Sequence, residues 1–449
     1  MARVPDRPVV WRLRGPGPEP GAVVAALGAT GDRFWLDDAV GRSGVIGWGA
    51  TAASLDLSDL PGTPGGSPSE PVRFAGGWVG WIGYEAGRTY ERQPTPVGPR
   101  RLPDSRFRHY PGGLNYDPEG WVIAGTSAFV DEARRLLATV APLELGRARA
   151  RLTDAGAPVG FVQGVQRALR HIEAGDCYQV NLARRLVLEL DGDPLDAYLQ
   201  LRTFSPASYG AFLETASGHV LSNSPELYLR VSGGLVESRP IKGTCGLGET
   251  PGACSRLGRA LLASDKERAE LTMIVDLVRN DLGRVCRPGS IDVGERRVRV
   301  LPTLQHAEQR VSGQLADGLG AADAIAASFP PGSVTGAPKV AAMAILGELE
   351  PHPRGVYTGA IGYLTDAGDA CFSVAIRTAT VQDGRVELHV GSGIVADSDP
   401  EAELAESDLK AAAFLGAWGE TSGRGRDVGA PEDGADHRPG LGAGLLHPG

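Results

Sequence analysis

The clearest periodic pattern of apolar residues in the chain lies in FVQGVQRALRHIEAGD, which begins at residue 161. Its apolar residues repeat at helical spacing and predict a helix. Gly175 is placed to cap this helix at its C-terminal end. The segment that follows, CYQVNLARRLVLEL, alternates instead and predicts a strand. On that strand Gln179 and Asn181 share one face, opposite the apolar side chains. Two amides on one face indicate a polar cavity.

Two more apolar segments predict strands. GGWVGWIGYE, from residue 76, is a glycine-interrupted run typical of a tightly packed strand. LSNSPELYLRVSGGLVESRPIKGT, from residue 221, predicts a strand, a turn that carries Glu226, and a hairpin through Gly233 and Gly234 that leads to Lys242. We therefore expect Glu226 and Lys242 on neighbouring strand ends.

Two predicted helices each carry a pair of glutamates three residues apart. The first helix, DKERAELTMIVDLVRND, carries Glu267 and Glu270, and the second, EAELAESDLKAAAFLGAW, carries Glu403 and Glu406. This spacing places both members of a pair on one helix face. Magnesium is bound by a few carboxylates with water and a substrate anion, so two pairs that face one another predict a magnesium site.

Each glutamate taken singly also has a structural interpretation. Ser264 and Glu267 fit an S-x-x-E capping box at a helix start. Glu406 fits an i, i+4 ion pair with Lys410. Spacing alone does not show that the two helices face one another.

Three segments are candidates for binding an anion. The glycine-rich turn of PPGSVTGAPKVAAMAILGEL offers backbone N–H groups at a helix start, although a simple capped helix explains it equally well. In VGSGIVADSDP, Gly391 and Gly393 either expose N–H groups to a ligand or form a tight bend. Arg377 interrupts the apolar strand pattern of FSVAIRTATV, so it either binds an anion or lies at a sheet edge.

The composition divides the chain into regions. Six of its seven tryptophans precede residue 122, and lysine is absent before residue 242. A length of 449 residues fits two or three units of domain size. We predict an N-terminal lobe at 1–155, a catalytic domain at 156–420 and a disordered tail at 421–449, with a flexible Pro–Gly-rich loop at 61–71.

The net charge argues against two classes of partner. It is −9 at pH 7, so neither nucleic acid nor an anionic membrane surface is expected to bind. No apolar run approaches the length of a membrane span and the N-terminal segment lacks a signal-peptide core, so a cytoplasmic protein is expected. The five cysteines are scattered without a C-x-x-C pair, which favours core packing over disulfides or zinc.

Lysine is rare in this chain. Among 45 Lys and Arg residues, only Lys242, Lys266, Lys339 and Lys410 are lysines. Arginine keeps its proton near neutral pH, whereas a buried lysine can lose it. A position that needs a neutral amine therefore cannot become arginine, and we consider Lys242, inside SRPIKGT, for such a role.

In this order the segments resemble the chorismate-utilising enzymes. The motifs that carry the resemblance are IEAGDCYQVNLARR, SNSPELYLRV, PIKGT, ELTMIVDLVRNDLGRVC, LQHAEQRVSG, GSVTGAPKVAAM, GVYTGAIGYL, FSVAIRT and GSGIVADSDPEAELAESDLKA. The N-terminal part matches chiefly through GGWVGWIGYE. The resemblance implies an α+β fold of two large antiparallel β-sheets flanked by helices, with the site between two lobes.

The resemblance also implies roles for individual residues. Glu267 and Glu403 would be direct magnesium ligands, with Glu270 and Glu406 holding metal-bound waters. Glu226 would be the acid that assists loss of the ring hydroxyl. Around chorismate the implied residues are His306 beside the ring, Tyr357 and Arg377 at the enolpyruvyl carboxylate, Gly391, Ser392, Gly393 and the Ser333 region at the ring carboxylate, and also Gln179, Thr335 and Lys339.

Two positions distinguish branches of this family. Members that add water to chorismate carry a lysine base where this chain has Gln179, and an amide cannot abstract that proton. Isochorismate and salicylate synthases are thereby disfavoured. Anthranilate synthases have alanine at the position of Lys242, whereas the lysine here is similar to aminodeoxychorismate synthase component I, which aminates ring C4.

The resemblance leads to a hypothesis for Lys242. As a neutral amine it attacks C2 of chorismate while Glu226 protonates the departing C4 hydroxyl, and ammonia then adds at C4 and expels the lysine. No cysteine lies in a convincing glutaminase motif, since TCGLGET around Cys245 overlaps the Lys242 loop. A separate glutamine amidotransferase subunit is therefore the implied partner. The implied pathway is that of p-aminobenzoate and folate, with a secondary metabolite left open.

Other interpretations stay open beside this one. The nearest is anthranilate synthase component I, and a further one is a Schiff-base lysine of a pyridoxal-phosphate transaminase. A third is a non-catalytic regulator that binds chorismate or tryptophan, against which the intact Lys242, Glu226 and carboxylate pairs argue. Some relatives bind tryptophan in the N-terminal lobe, but here Asp38 stands where a serine is expected, so we do not predict tryptophan binding.

Overall fold

The structure is a computed structural model that describes residues 7–55, 60, 72–90 and 102–419. The predicted loop at 61–71 and the predicted tail at 421–449 lie outside these residues. The helices within them are α1 (Pro20–Ala26), α2 (Ser127–Leu137), α3 (Pro158–Glu173), α4 (Pro194–Phe204), α5 (Pro251–Ala263), α6 (Asp265–Gly283), α7 (Ala321–Ser328), α8 (Lys339–Leu349) and α9 (Pro400–Ala417).

The strands of the described residues make two sheets. They are β1 (Val9–Arg12), β2 (Phe34–Asp38), β3 (Ser43–Gly47), β4 (Ala52–Ser54), β5 (Gly77–Ile82), β6 (Ser105–Tyr110), β7 (Gly112–Asp117), β8 (Gly120–Gly125), β9 (Arg149–Asp154), β10 (Gln179–Asp191), β11 (Tyr209–Thr215), β12 (Gly218–Ser224), β13 (Leu227–Ser232), β14 (Leu235–Arg239), β15 (Ile241–Gly246), β16 (Asp292–Val300), β17 (Leu304–Gln314), β18 (Gly336–Ala337), β19 (Ala360–Thr365), β20 (Ala370–Val374), β21 (Thr378–Gln382) and β22 (Arg385–Ile394).

Both sheets are antiparallel. The first has the order β1-β8-β7-β3-β2-β11-β12-β21-β22-β10-β18, with β9 also paired to β10. The second has the order β15-β17-β14-β13-β20-β19-β5-β6-β4, with β16 also paired to β17. Two large antiparallel sheets flanked by helices confirm the predicted α+β fold.

Strands from both sides of residue 155 pair within both sheets. In the first sheet β2 pairs with β11, and in the second β5 pairs with β19. The predicted boundary falls between β9 and α3, but it does not separate one sheet from the other. The N-terminal part therefore completes both sheets.

The two sheets share a core where their faces meet. Phe34 of the first sheet and Trp81 of the second are each 1% exposed and belong to one buried cluster. Phe34 also packs edge-to-face on Tyr110, with ring centroids 4.5 Å apart. Full burial of a side chain of this size stabilises the fold by roughly 2–3 kcal/mol, so this contact fixes the sheets relative to one another.

The helices that carry the predicted carboxylates begin where the sequence predicts. The Ser264 hydroxyl accepts a hydrogen bond from the Glu267 N–H at the start of α6, and Asp399 accepts from the Ala402 N–H at the start of α9. Such caps satisfy N–H groups that the first helical turn leaves unpaired. In the part of the chain that the structure covers, no helix is long and apolar enough to cross a membrane.

Two of the places where the chain crosses from one sheet to the other lie side by side. Residues 225–226 join β12 to β13, and residues 375–377 join β20 to β21. The Ser224 hydroxyl donates to the Val374 carbonyl at 2.6 Å, and the Asn223 N–H donates to the Arg377 carbonyl at 2.9 Å. Glu226 and Arg377 therefore lie at the junction of the sheets.

The prediction that FSVAIRTATV is one strand with Arg377 inside it is wrong, and anion binding by Arg377 stays a prediction. The segment FSVAIRTATV divides into β20 and β21, which belong to different sheets. Arg377 has φ +48°, a left-handed conformation that a regular strand cannot contain. The polar residue in the apolar pattern marks the crossing between the sheets.

Candidate active site

Glu226 is a buried carboxyl group at the junction. It is 3% exposed, and both the Ser333 hydroxyl and the Ile241 N–H hydrogen-bond to its carboxylate. Burial raises its pKa to about 7, although these two donors and Lys242 act in the opposite direction. A carboxyl group with this pKa holds a proton near neutral pH and can donate it.

Lys242 lies on β15, next to Ile241, as the hairpin pattern predicts. The pairing of β15 with β17 shifts register between Lys242 and Thr244, so Gly243 forms a bulge. Gly243 has φ +70°, and a Cβ there would lie 2.6 Å from the Glu267 Oε2 atom. A glycine at this position therefore allows the carboxylates of α6 to approach the lysine strand.

The surroundings of Lys242 favour its neutral form. Burial lowers its pKa, and Lys410 lowers it further, while Glu270, Glu226 and Glu406 act to raise it. The net direction is downward. Among the described residues no hydrogen bond or ion pair engages the Nζ atom.

His306 is neutral in this environment. Its Nδ1 atom lies 3.0 Å from the Gly243 carbonyl and 3.1 Å from the Thr244 hydroxyl. Burial lowers its pKa to about 4, helped by Arg377, among other cations. With Nδ1–H donating to Gly243, the buried Nε2 atom has no partner within the described residues and is left as a hydrogen-bond acceptor for a ligand.

Unpaired polar atoms gather around Gly393. A Cβ on this glycine would lie 3.5 Å from Lys242 Nζ and would collide with the amide of Gln179. Both amide atoms of Gln179 and the Ser392 hydroxyl are buried without a partner in the described structure. Each buried unpaired group costs about 1–3 kcal/mol, so a ligand that pairs with them recovers this energy.

The carboxylates of α6 and α9 lie close to one another. Burial raises the pKa of Glu270, and both Glu267 on its own helix and Glu406 on α9 raise it further. Glu403 accepts a hydrogen bond from the Ser398 hydroxyl at 2.6 Å, but its other carboxylate oxygen is buried without a described partner. One member of each predicted pair, Glu270 on α6 and Glu406 on α9, is therefore close enough for the two charges to interact.

The donor set suits a hard divalent cation. Such a cation takes oxygen ligands and relieves the repulsion between carboxylates, and the unpaired Glu403 oxygen is a ready ligand. Among the described residues, however, no three acidic, histidine or cysteine side chains already converge as a metal centre. The chemistry of the residues fits magnesium.

Tyr357 and Thr335 are held by neighbouring groups. The Tyr357 ring stacks on His389 with centroids 5.5 Å apart, and the Asn181 side chain hydrogen-bonds to its hydroxyl. Burial raises the pKa of Tyr357 to about 12, so it remains a neutral donor. The Thr335 hydroxyl donates to the Pro331 carbonyl at 2.8 Å, which leaves it available to a ligand only as an acceptor.

Lys339 has protein partners already. Its Nζ atom donates to Asp281 at 2.6 Å and to the Ser328 carbonyl at 2.7 Å. The Lys339 and Asp281 side chains are 10% and 8% exposed. Lys339 therefore holds Asp281, and its contact with chorismate stays a prediction.

Replacing Lys339 with methionine is expected to destabilise the protein by about 3 kcal/mol, because it leaves Asp281 buried without its cation. Urea denaturation measures this change, and Lys266→Met on the exposed surface of α6 is the control. A Lys339→Met protein of unchanged stability but raised KM for chorismate would instead assign Lys339 to the substrate.

Two residues at the site were not predicted from the sequence to belong to it. Lys410 forms the predicted ion pair with Glu406, and it also donates to the Gly391 carbonyl at 2.8 Å. The rarity of lysine was a usable signal for it. Arg354 donates to the Val334 carbonyl at 3.1 Å and to the Thr358 hydroxyl at 3.0 Å, but nothing distinguishes it from the other arginines in the sequence.

Comparison with known proteins shows what this chain resembles. A family model described as chorismate binding enzyme matches residues 49–416. Anthranilate synthase component 1 of Streptomyces coelicolor is 40% identical over 394 residues, which are 80% of this chain and 75% of that protein. Aminodeoxychorismate synthase component 1 of Salmonella typhimurium is 39% identical over 359 residues, 78% of each chain. The crystal structure of anthranilate synthase component I from Streptococcus pneumoniae aligns with a TM-score of 0.71 and 28% identity, covering 92% of this chain and 93% of that one.

Proposed function

We propose, on the premise that the chain belongs to the chorismate-binding enzyme family, that it aminates chorismate at C4 and so forms 4-amino-4-deoxychorismate. Relatives named as aminodeoxychorismate and as anthranilate synthases are similarly close, so identity does not choose between the two reactions. The observation that carries the choice is Lys242, a partly buried lysine whose pKa is lowered and which interacts with Glu226, a carboxyl group whose pKa is about 7.

In the first step the neutral Lys242 amine forms a bond to C2 of chorismate. The C1=C2 electron pair shifts to C1=C6, the C5=C6 pair shifts to C4=C5, and the C4 hydroxyl departs. Glu226 gives its proton to this hydroxyl, which leaves as water. Covalent attack divides one difficult displacement into two easier ones.

In the second step the electron shifts run in reverse. Ammonia forms a bond to C4, the C2–N bond breaks, and its electron pair returns to the Lys242 Nζ atom. The new ammonium group loses a proton to the Glu226 carboxylate. Both side chains thus return to their initial states, and the sum is chorismate plus ammonia giving product plus water.

The remaining residues bind and orient the substrate. Tyr357 and Arg377 would hold the enolpyruvyl carboxylate, while Ser392 and the adjacent glycine N–H groups would hold the ring carboxylate. His306 would accept a hydrogen bond through Nε2. Glu267, Glu270, Glu403 and Glu406 would hold magnesium, which supplies positive charge for a substrate carboxylate.

The ammonia would come from a separate glutamine amidotransferase subunit. Both groups of relatives carry names that call them component 1, which supports a second component here. Cys245 lies on β15, the strand of Lys242, and Cys254 lies on α5, which packs over the pairing of β15 with β17. Among the described residues no histidine pairs with either thiol, so neither has the base that a glutaminase nucleophile needs. We further propose a cytoplasmic enzyme whose product feeds p-aminobenzoate and folate synthesis.

The test is incubation of the pure chain with chorismate, magnesium and ammonium, with products identified by mass and chromatography. We expect 4-amino-4-deoxychorismate, which an added lyase converts to p-aminobenzoate. Replacing ammonium with glutamine, or removing magnesium with a chelator, is expected to stop product formation. The mixture without ammonium shows whether product formation depends on the nitrogen source, and the mixture with chelator shows whether it depends on magnesium.

Three outcomes of this assay would contradict the proposal. Fluorescent anthranilate as the main product would assign the chain to the anthranilate synthases, and turnover of glutamine by the pure chain would remove the need for a partner. Unchanged chorismate in every mixture would support the non-catalytic regulator instead.

A further inference from the structure

Tyr357 lies in an irregular segment between α8 and β19. Gly355 and Thr358, on either side of it, both have φ +60°. This left-handed conformation is unfavourable for a β-branched residue such as threonine. The segment therefore depends on contacts from other elements to fix the direction of the Tyr357 side chain.

His389 on β22 supplies two such contacts. Its ring stacks on the Tyr357 ring with centroids 5.5 Å apart and planes 17° apart, and it donates a hydrogen bond to the Pro353 carbonyl. His389 and Tyr357 are 8% and 6% exposed. The histidine thus ties the segment before β19, in the second sheet, to a strand of the first sheet.

His389 is a neutral ring with one nitrogen left over. Burial lowers its pKa to about 3, and nearby cations such as Arg185 lower it further. Its buried Nε2 atom has no hydrogen-bond partner among the described residues. A buried unpaired nitrogen costs stability, so an aliphatic side chain would serve packing alone better. The feature that distinguishes the histidine is its flat face against Tyr357.

Asn181 on β10 fixes the other end of Tyr357. Its side-chain amide donates to the Tyr357 hydroxyl oxygen. The backbone of Asn181 is held in turn, because its N–H donates to the Thr335 carbonyl at 2.9 Å and its carbonyl accepts from Arg354. Since the Tyr357 oxygen accepts from the amide, the tyrosine proton is directed to a different acceptor.

We infer that His389 and Asn181 are positioning residues that orient the Tyr357 O–H toward the enolpyruvyl carboxylate of chorismate. The inference rests on the proposed function, in which Tyr357 holds this carboxylate. His389 sets the plane of the ring, and Asn181 sets the rotation of the hydroxyl. A carboxylate gains most from a donor that is already oriented when the substrate arrives.

The stacked ring is tested by His389→Leu and His389→Phe. Both variants lose the bond to Pro353, but only phenylalanine keeps a flat ring. His389→Leu is expected to raise the KM for chorismate by about tenfold and to change kcat by less than about twofold, since the bond to the carboxylate is weakened equally in the ground and transition states. His389→Phe is expected to stay within about threefold of the wild-type KM.

The hydroxyl is tested by Asn181→Leu, which is expected to raise the KM for chorismate by about tenfold. It provides the same test if His389→Leu does not fold. In the Tyr357→Phe background neither substitution should raise the KM further, because the hydroxyl that both residues orient is gone. His219→Leu, which removes a ring 5.8 Å from that of Phe212, is the matched control and should keep the wild-type KM.

A second readout does not depend on the product. The Kd for chorismate is measured by calorimetry with magnesium in the Lys242→Ala background, where no covalent bond to position 242 forms, and it should follow the KM values. Equal values for His389→Leu and His389→Phe, or effects that persist in the Tyr357→Phe background, would overturn the positioning roles. A wild-type chain that converts chorismate without amination at C4 would refute the proposed function alone, since the Kd values would still decide the roles of His389 and Asn181.

Discussion

Lys242→Ala and Lys242→Arg are both expected to reduce amination of chorismate by at least about 100-fold, which corresponds to about 2.7 kcal/mol of lost transition-state stabilisation. Alanine removes the nucleophile, and arginine retains the charge but cannot become a neutral amine. The measurement is kcat/KM with ammonium as the nitrogen source. Lys266→Ala, which changes an exposed lysine on α6, is the control.

The covalent step has a direct readout. Without ammonia, wild-type protein mixed with chorismate is expected to gain the mass of chorismate less one water, and digestion should place the adduct on Lys242. Lys242→Ala should show no gain. A Lys242→Arg protein with full activity, or an adduct on another residue, would exclude the proposed nucleophile.

The pH dependence of the reaction follows from the same lysine. Its pKa is lowered by burial and by Lys410, and only the unprotonated amine attacks. The rate therefore rises with pH until Lys242 has lost its proton, and this rise occurs below the usual range of a lysine. Arginine at position 242 would abolish the rise along with the activity.

The positions of these strands and helices could be predicted from local sequence patterns. Alternation in β10, the glycine-interrupted run of β5 and the hairpin between β13 and β14 each lie where the pattern places them. The helix start at Ser264 carries the expected cap. These features are local, since a period or a cap depends on residues within a few positions of one another.

The site depended on contacts between distant segments. No periodic pattern in the sequence indicates that Gly243 forms a bulge beside which Glu267 fits. Nor does one indicate that Gly393 lets Gln179 approach Lys242. The conformation of Arg377 arises from a crossing between sheets, so its strand pattern misled the sequence argument. The resemblance to a family supplied the site residues, and the structure supplied their burial and charge.

Glu226→Gln is expected to lower kcat for amination by about 10²–10⁴-fold, because an amide cannot protonate the departing hydroxyl. In the wild-type protein the group acts when protonated, and its pKa is about 7. The rate should therefore fall as pH rises above about 7. In Glu226→Gln the residual rate should no longer fall above pH 7, while the rise of the rate with pH that we assign to Lys242 persists.

Stability separates this catalytic loss from a folding defect. A carboxyl group whose pKa rises from 4.5 to about 7 on folding makes the wild-type protein less stable as pH increases through that window. Glutamine carries no such charge, so Glu226→Gln should be at least as stable as wild type at pH 8. Glu237→Gln, at a buried glutamate that pairs with Arg230 at 3.1 Å, is the control. If Glu226→Gln keeps both the wild-type rate and the fall in rate above pH 7, the reaction does not need a proton donor at position 226. The acid would then be another residue.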